Sequence, residues 1–389
     1  MKTKRFIIPL FCLLFYQILI LTNCKNDRSP QYSQYLIDLR NPILNIKSVP
    51  LSAIGFNIQY IPLETNSASL LKTILHIELC DSIIFVCDND KLLKFDTAGR
   101  FIKQIGIKGN GPGEYPSIND FSVDKINQLI YIAAVRFKGV YIFDFDGNLI
   151  KSFKVPYIPM QILACEMNYI LFRNAFPNPD TKFNWYITDS DGKILTKFRS
   201  FPGRDTRSKL IGQSLCPMYL FNGKFHFMEY GIDTLYLINN SAKEPYAIFD
   251  LGDLKMDPPY PVDFDMEALK DKIWVYKIFE DRNNLYMKVS KGWTSTFYHC
   301  IYNKKESETI TLKENGFIND LDGGPDFWPQ FITSDTVLLS YIEAYQLLNY
   351  LNKKPDDSSE STNNDISVQL RTLKKQLTET SNPVIMIVK

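Results

Sequence analysis

Histidine is nearly absent from this chain: His76, His226 and His299 are the three it has among 389 residues. None stands at metal-ligand spacing from another, and no Ser, His and Asp arrangement accompanies them, so a histidine metal site or a hydrolase triad has no support. Each lies in an alternating apolar stretch, which predicts core or sheet-surface positions. Surplus charge is missing too. The 44 Lys and Arg balance 43 Asp and Glu, leaving no electrostatic footprint for nucleic acid or an anionic membrane surface. No C-x-x-C pair occurs. Beyond Cys12 and Cys24, Cys80, Cys87, Cys165, Cys216 and Cys300 are odd in number and scattered on apolar segments, so they read as small core residues rather than a disulfide framework. Cys80 and Cys87 share a predicted hairpin, but pairing about Asp81-Ser82 sets Cys87 opposite His76. The glycines of Gly109-Asn-Gly-Pro-Gly113 are not followed by Gly-Lys-Ser/Thr, and a strand, not a helix, comes next. That argues against a phosphate cradle and for a tight connection in which Pro112 fixes φ.

Long apolar runs are confined to the N-terminus. Lys2, Lys4 and Arg5 precede the stretch from Phe6 to Leu21, which is short for a spanning helix and gives way to polar residues from Lys25. Residues 1–23 therefore read as a secretory signal. Leu21-Thr-Asn-Cys24 resembles a bacterial lipobox, with Asn23 departing from the usual small residue. Residues 24–34 are accordingly expected to be a tether lipidated on Cys24, its lipid the link to the membrane, which predicts an exported protein anchored at the outer membrane or cell surface.

What the chain does have is aromatic residues, 27 Phe and 22 Tyr, in short runs separated by Gly and Pro. These are strands. A unit of four strands recurs: Ile74–Leu79, Ile83–Cys87, Leu92–Phe95 and Phe101–Ile105 form its first copy. The register mark is Asp96-x-x-Gly99, repeated as Asp144-x-x-Gly147 and Asp189-x-x-Gly192 and continued by Asn239 and Asn303, at intervals of 48, 45, 50 and 64 residues. Asp or Asn closes such a hairpin through its own downstream amides, and Gly supplies positive φ. The longest interval holds an insertion, with a short helix expected near residues 264–270. A sixth copy starts at Trp328 and is interrupted over residues 344–381 by a helix (344–352), a polar low-complexity linker (353–365) and a second helix (366–377). Residues 383–388 then return as a strand.

Four-strand repeats of this period predict an all-β fold over residues 35–389, a six-bladed β-propeller with a short helical insertion in the last blade. The ring is expected to close by pairing the C-terminal strand with Phe56–Leu63, and Pro62 marks that strand as an edge.

At Gly111-Pro-Gly-Glu-Tyr115, Ile61-Pro-Leu-Glu64 and Asn382-Pro-Val, the chain resembles six-bladed β-propeller lipoproteins of gut and environmental anaerobes, relatives of the NHL-repeat propellers. The resemblance implies the same fold and envelope location. Propeller lactonases and lyases of this fold hold an axial calcium with Glu, Asn and Asp, and Glu78, Asp120 and Glu166 are the acidic residues that first strands offer here.

Strand polarity adds one expectation. Blade-to-blade connections and second-to-third loops share one face, opposite the Asp-x-x-Gly hairpins. Its longer loops put Glu114, Tyr115, Arg136, Arg173, Tyr230 and Trp293 forward as ligand-face candidates. The leading expectation is a binding or scaffold module for a glycan, peptide or envelope partner protein, without cofactor and without nucleic acid. The alternative is a calcium-dependent hydrolase or lyase.

Overall fold

The computed structural model describes residues 35–40, 45–89, 91–134, 136–156, 158–165, 169–174, 183–199, 216–229, 231–256, 266–292, 296–333, 337–354 and 366–389. Cys24 and the signal segment lie outside them. Six antiparallel blades follow one another along the chain. Blade one is His76–Cys80, Ile83–Cys87, Leu92–Asp96 and Phe101–Ile105, and blade two is Asp120–Asp124, Leu129–Ala134, Gly139–Asp144 and Leu149–Lys154. Blade three comprises Pro159–Cys165, Tyr169–Asn174, Phe183–Thr188 and Ile194–Arg199; blade four comprises Met218–Phe221, Lys224–Met228, Thr234–Asn239 and Ala242–Asp250. Blade five is Ile273–Glu280, Asn284–Lys291, Tyr298–Asn303 and Glu308–Leu312. Blade six takes Phe331–Thr333, Val337–Ile342 and Val384–Val388 from the C-terminal part and Ile58–Pro62 from the N-terminal part. The first strand of each blade touches that of the next, and blade six touches blade one, so the ring is closed.

The hairpin marks work as their chemistry requires. The Asp96 carboxylate accepts from the amides of Ala98 and Arg100, both at 2.9 Å. Asp144 and Asp189 repeat the arrangement, with Gly99, Gly147 and Gly192 at φ of 82°, 78° and 83°. The Asn303 side chain accepts from Lys305 and Glu306. At Asn239 the place is kept by other means, a two-residue turn with Asn240 and Ser241 at positive φ. Beside the three Asp marks a β-bulge shifts the register of the outer strand.

Closure occurs where it was expected. Ile58 pairs with Val388 and Pro62 with Val384, making Pro62 part of the outermost strand, where its missing N–H costs no ladder bond. Asn382, 1% exposed, pins the seam: its side chain accepts from Leu71 N at 2.9 Å and donates to the carbonyls of Glu64 and Ser69. Glu64 in turn accepts from Phe101 N of blade one at 2.8 Å. Ahead of residue 56 the sequence starts its strand pattern near Tyr35–Leu39, without marking which sheet that strand joins. Tyr35–Asp38 adds a fifth, parallel strand to blade four, and Ile46–Lys47 does the same for blade five.

Cores lie between blades. Cys87 is opposite His76, and Cys80, Cys87, Cys165, Cys216 and Cys300 are all buried, none of them in a disulfide. Of the three short α-helices among the described residues, α1 (Met266–Leu269) precedes blade five, while α2 (Ala344–Leu351) and α3 (Val368–Gln376) come from the insertion in blade six. Leu347, Leu351, Leu370 and Leu373 pack with Leu51, Tyr60 and Phe317, so these two helices extend the core of blades five and six. The Ser367 hydroxyl caps α3 by accepting from Leu370 N.

Candidate functional site

The face carrying the blade-to-blade connections is called the upper face. Its Gly-rich loop is a clasp. Ile107–Lys108 and Glu114–Tyr115 form a two-stranded parallel ribbon, and the Glu114 carboxylate turns inward to accept from Gly111 N at 2.7 Å. A Cβ at Gly109 would sit 1.9 Å from a Glu114 oxygen, which explains why glycine stands there. Tyr115 is 0% exposed and packs edge-on against Phe143 in the core between blades one and two. Of the ligand-face candidates, then, Glu114 braces its own loop and Tyr115 has no surface to offer. Arg173 is corrected similarly: it is 6% exposed, and its Nε donates to Gln161 Oε1 at 2.6 Å across two strands of blade three. Arg136 is exposed, its guanidinium 5.6 Å from the ring of Phe137, itself 58% exposed. Tyr230, Trp293 and Glu166 lie outside the described residues.

Sequence reasoning named Glu78 and Asp120 as first-strand carboxylates near the axis but passed over the histidine that lies between them. His76 opens the first strand of blade one. Its Nδ1 is 3.0 Å from Asp120 Oδ1 of blade two and its Nε2 is 3.5 Å from Glu78 Oε1, so a carboxylate faces each ring nitrogen. Burial alone works against the charged imidazole, but the hydrogen bonds and charges of Asp120 and Glu78 outweigh it and raise the pKa to about 10. His76 is therefore an imidazolium at neutral pH. Its ring is stacked on Phe331 of blade six, with 5.6 Å between centroids. Asp120 also accepts from Ile162 N of blade three at 3.0 Å, tying three blades together. The signal was present in the strand-initial His and Asp, which the repeat places at equivalent ends of neighbouring first strands. The other two histidines fit the bland expectation. Burial lowers His226 to about 3 and, helped by Lys288, His299 to about 4, so both are neutral.

The axial carboxylates thus converge on a cation the chain itself supplies. Among the described residues no group of three or more His, Cys, Asp or Glu side chains is arranged to hold a metal ion.

Opposite them, on the wall of blade five that faces blade six, Lys277, Lys288 and His299 stand side by side in register across three strands. The Lys277 ammonium lies 5.2 Å from the ring centroid of Phe331, and that of Lys288 lies 4.0 Å from Phe297. Neither ammonium has a hydrogen bond or ion pair among the described residues. Burial lowers the pKa of both; for Lys277 repulsion by Lys288 adds to this and Asp120 opposes it. Lys304, on the other wall of the same blade, is treated differently. It pairs with the buried Glu280 at 2.6 Å, and Glu280 also accepts from the hydroxyls of Tyr219 and Tyr246 of blade four.

These features define the chain as a closed six-bladed β-propeller whose first strands carry His76, Glu78, Asp120 and Lys277. It belongs to a family of domains of unknown function, DUF4934, whose match runs over residues 34–389. No curated protein matches it. Among solved structures it is similar to a "putative exported protein" of Bacteroides fragilis at 16% identity, with a TM-score of 0.70 over 92% of this chain and 99% of that one. A DUF4221-family protein of Bacteroides vulgatus aligns at 13% identity and a TM-score of 0.44 over 66% of this chain and 84% of that one.

Proposed function

We propose that this chain is an exported, lipid-anchored propeller of the cell envelope, a binding or scaffold module that recognises a glycan, peptide or partner protein through its upper face and axial funnel. The supporting observation is a pair of neighbouring cations near the axis: Lys277, exposed, and Lys288, half-buried, are cross-strand neighbours with no hydrogen bond or ion pair among the described residues, whereas the buried Glu280 and Lys304 satisfy each other. Arg136 and Phe137 add an exposed cation and ring on the same face. The designation of the Bacteroides fragilis relative as exported agrees with the signal and lipobox reading of residues 1–24. A calcium-dependent hydrolase or lyase has less support, because Glu78 and Asp120 are engaged by a protonated His76 and an ammonium stands across the funnel.

Two experiments test this reading. A Cys24→Ser variant is expected to leave the membrane fraction or to stay unprocessed, and a processed variant that still sediments with membranes rules out the lipid. On a glycan and peptide array, bound probes should be lost with Arg136→Ala on the upper face and kept with Arg100→Ala on the lower hairpin. The reverse pattern would move recognition to the other face.

A further inference from the structure

The outermost strand of every blade begins on the lower side. Phe101–Ile105, Leu149–Lys154 and Ile194–Arg199 each leave a lower hairpin, and Tyr35–Asp38 and Ile46–Lys47 run parallel to the strands that leave the hairpins of blades four and five. In blade six Ile58 pairs with Val388, the last residue of the third strand, and Phe56 N donates to Lys389 O at 2.8 Å. Within two residues of each of these starts stands an exposed apolar side chain: Ile102, Ile150, Leu195, Leu36, Ile46 and Phe56 in blades one to six, from 43% to 84% exposed.

Two unrelated devices produce this ring. In blades one to three the apolar residue is the extra one of the β-bulge, since the pairing skips Ile102, Ile150 and Leu195 in turn. In blades four to six it comes from the N-terminal segment, which is no part of the four-strand repeat. A solvated hairpin needs no apolar residue at that place, and a polar one would serve the bulge as well. Single apolar residues scattered on a surface are ordinary, but one at the same station of all six outermost strands is not scatter. The upper face has exposed apolar residues too, Ile107 and Phe137 among them, on connections of unlike build that share no station.

Cations beside the ring are already paired. Arg40 binds Asp38, Lys47 binds Glu308, Arg100 binds Asp96 and Lys151 binds Asp191, at 2.6 to 2.8 Å. The ring therefore offers apolar contact without calling for a charged partner. A partner that meets six points around one side of a propeller must be broad and flat, and the chain is held near such a surface. Residues 24–34, with the lipid proposed on Cys24, lead into the ring at Tyr35, the neighbour of Leu36 at the lower end of its strand. Eleven extended residues reach about 36 Å at most, which keeps the propeller at high local concentration beside the bilayer.

Resting on the lipid anchor of the proposed function, we infer that the lower rim docks on the bilayer surface, with these six side chains among the lipid headgroups and the upper face turned to the medium.

The test uses the whole lipidated protein in phosphatidylcholine vesicles. An environment-sensitive fluorophore is attached through Phe56→Cys or Ile150→Cys on the ring, or through Phe137→Cys on the upper face. Cys80, Cys87, Cys165, Cys216 and Cys300 are buried and do not compete for the label. A quencher carried on the lipid acyl chains should lower emission from both ring labels about twofold or more and leave the Phe137 label unchanged. Protein that does not float with the vesicles brings down the anchor and the docking together. Protein that floats with all three labels unquenched, or with all three quenched alike, overturns the docking alone. Ring labels shielded from aqueous iodide yet out of reach of the lipid quencher mean that protein, a second copy or a partner, covers the ring, and they overturn it too.

Discussion

His76 shows how one side chain joins charge to architecture. Its folded pKa is raised from 6.5 to about 10, so its stabilising contribution is complete below about pH 6.5 and is lost as pH rises through about 10. Melting curves of the unaltered protein and His76→Gln should therefore be farthest apart near pH 6 and converge towards pH 10.5. A constant gap would mean that the imidazole is neutral in the fold. Asn382 acts through neutral hydrogen bonds instead. Asn382→Ala leaves one amide and two carbonyls without their partner in a buried seam, and denaturant unfolding should show a loss of about 3 kcal/mol. The sequence carried both residues in plain view, Asn382 within the motif Asn382-Pro-Val and His76 as a histidine expected in the core or on a sheet surface. The importance of His76 depends on Asp120, 44 residues away in the next blade, and local periodicity holds no record of that proximity.

Among elements, the third hairpin was the most legible, because Asp and Gly act within a few residues of each other. The same pattern nevertheless meets different surroundings. A Cβ on Gly147 would find its nearest neighbour at 3.6 Å, whereas one on Gly99 would lie 2.0 Å from the backbone oxygen of Pro62. Gly147→Ala should cost about 1 kcal/mol for positive φ, and Gly99→Ala about 3 kcal/mol or more because backbone must move. Equal losses in urea unfolding would show that the seam between blades six and one yields easily. The Gly109–Tyr115 loop teaches the converse. Its glycines, carboxylate and tyrosine resemble ligand chemistry in a linear reading, but packing turns Glu114 back on the loop and buries Tyr115. Which way a side chain points at a blade junction depends on the neighbouring blade, and the linear pattern does not contain that.

At the level of the whole ring, the blade count and its closure could be read because repetition and the stray strand at residues 56–63 pointed the same way. The strands at Tyr35–Asp38 and Ile46–Lys47 could not be placed, since a short edge strand pairs through backbone alone and leaves little mark in side-chain pattern. Closure also sets cooperativity. Removing residues 384–389 exposes the edge of Val337–Ile342, unpairs Ile58–Pro62 and opens the cores on either side of blade six. The truncated chain is expected to lose its single cooperative melting transition, as read by circular dichroism. Retention of that transition would show that five blades suffice.

The N-terminal residues touch three sheets in turn, and all three sheets are finished late. Tyr35–Asp38 needs residues 247–250, Ile46–Lys47 needs 311–312, and Ile58–Pro62 needs 384–388. On the ribosome, the opening stretch therefore waits with bare backbone until almost the whole polypeptide has been made. Such distant pairings are slow to form, and unsatisfied strand edges invite association with other chains. Newly made protein should thus depend most on chaperones for residues 35–62, whose last strand finally holds the circle shut.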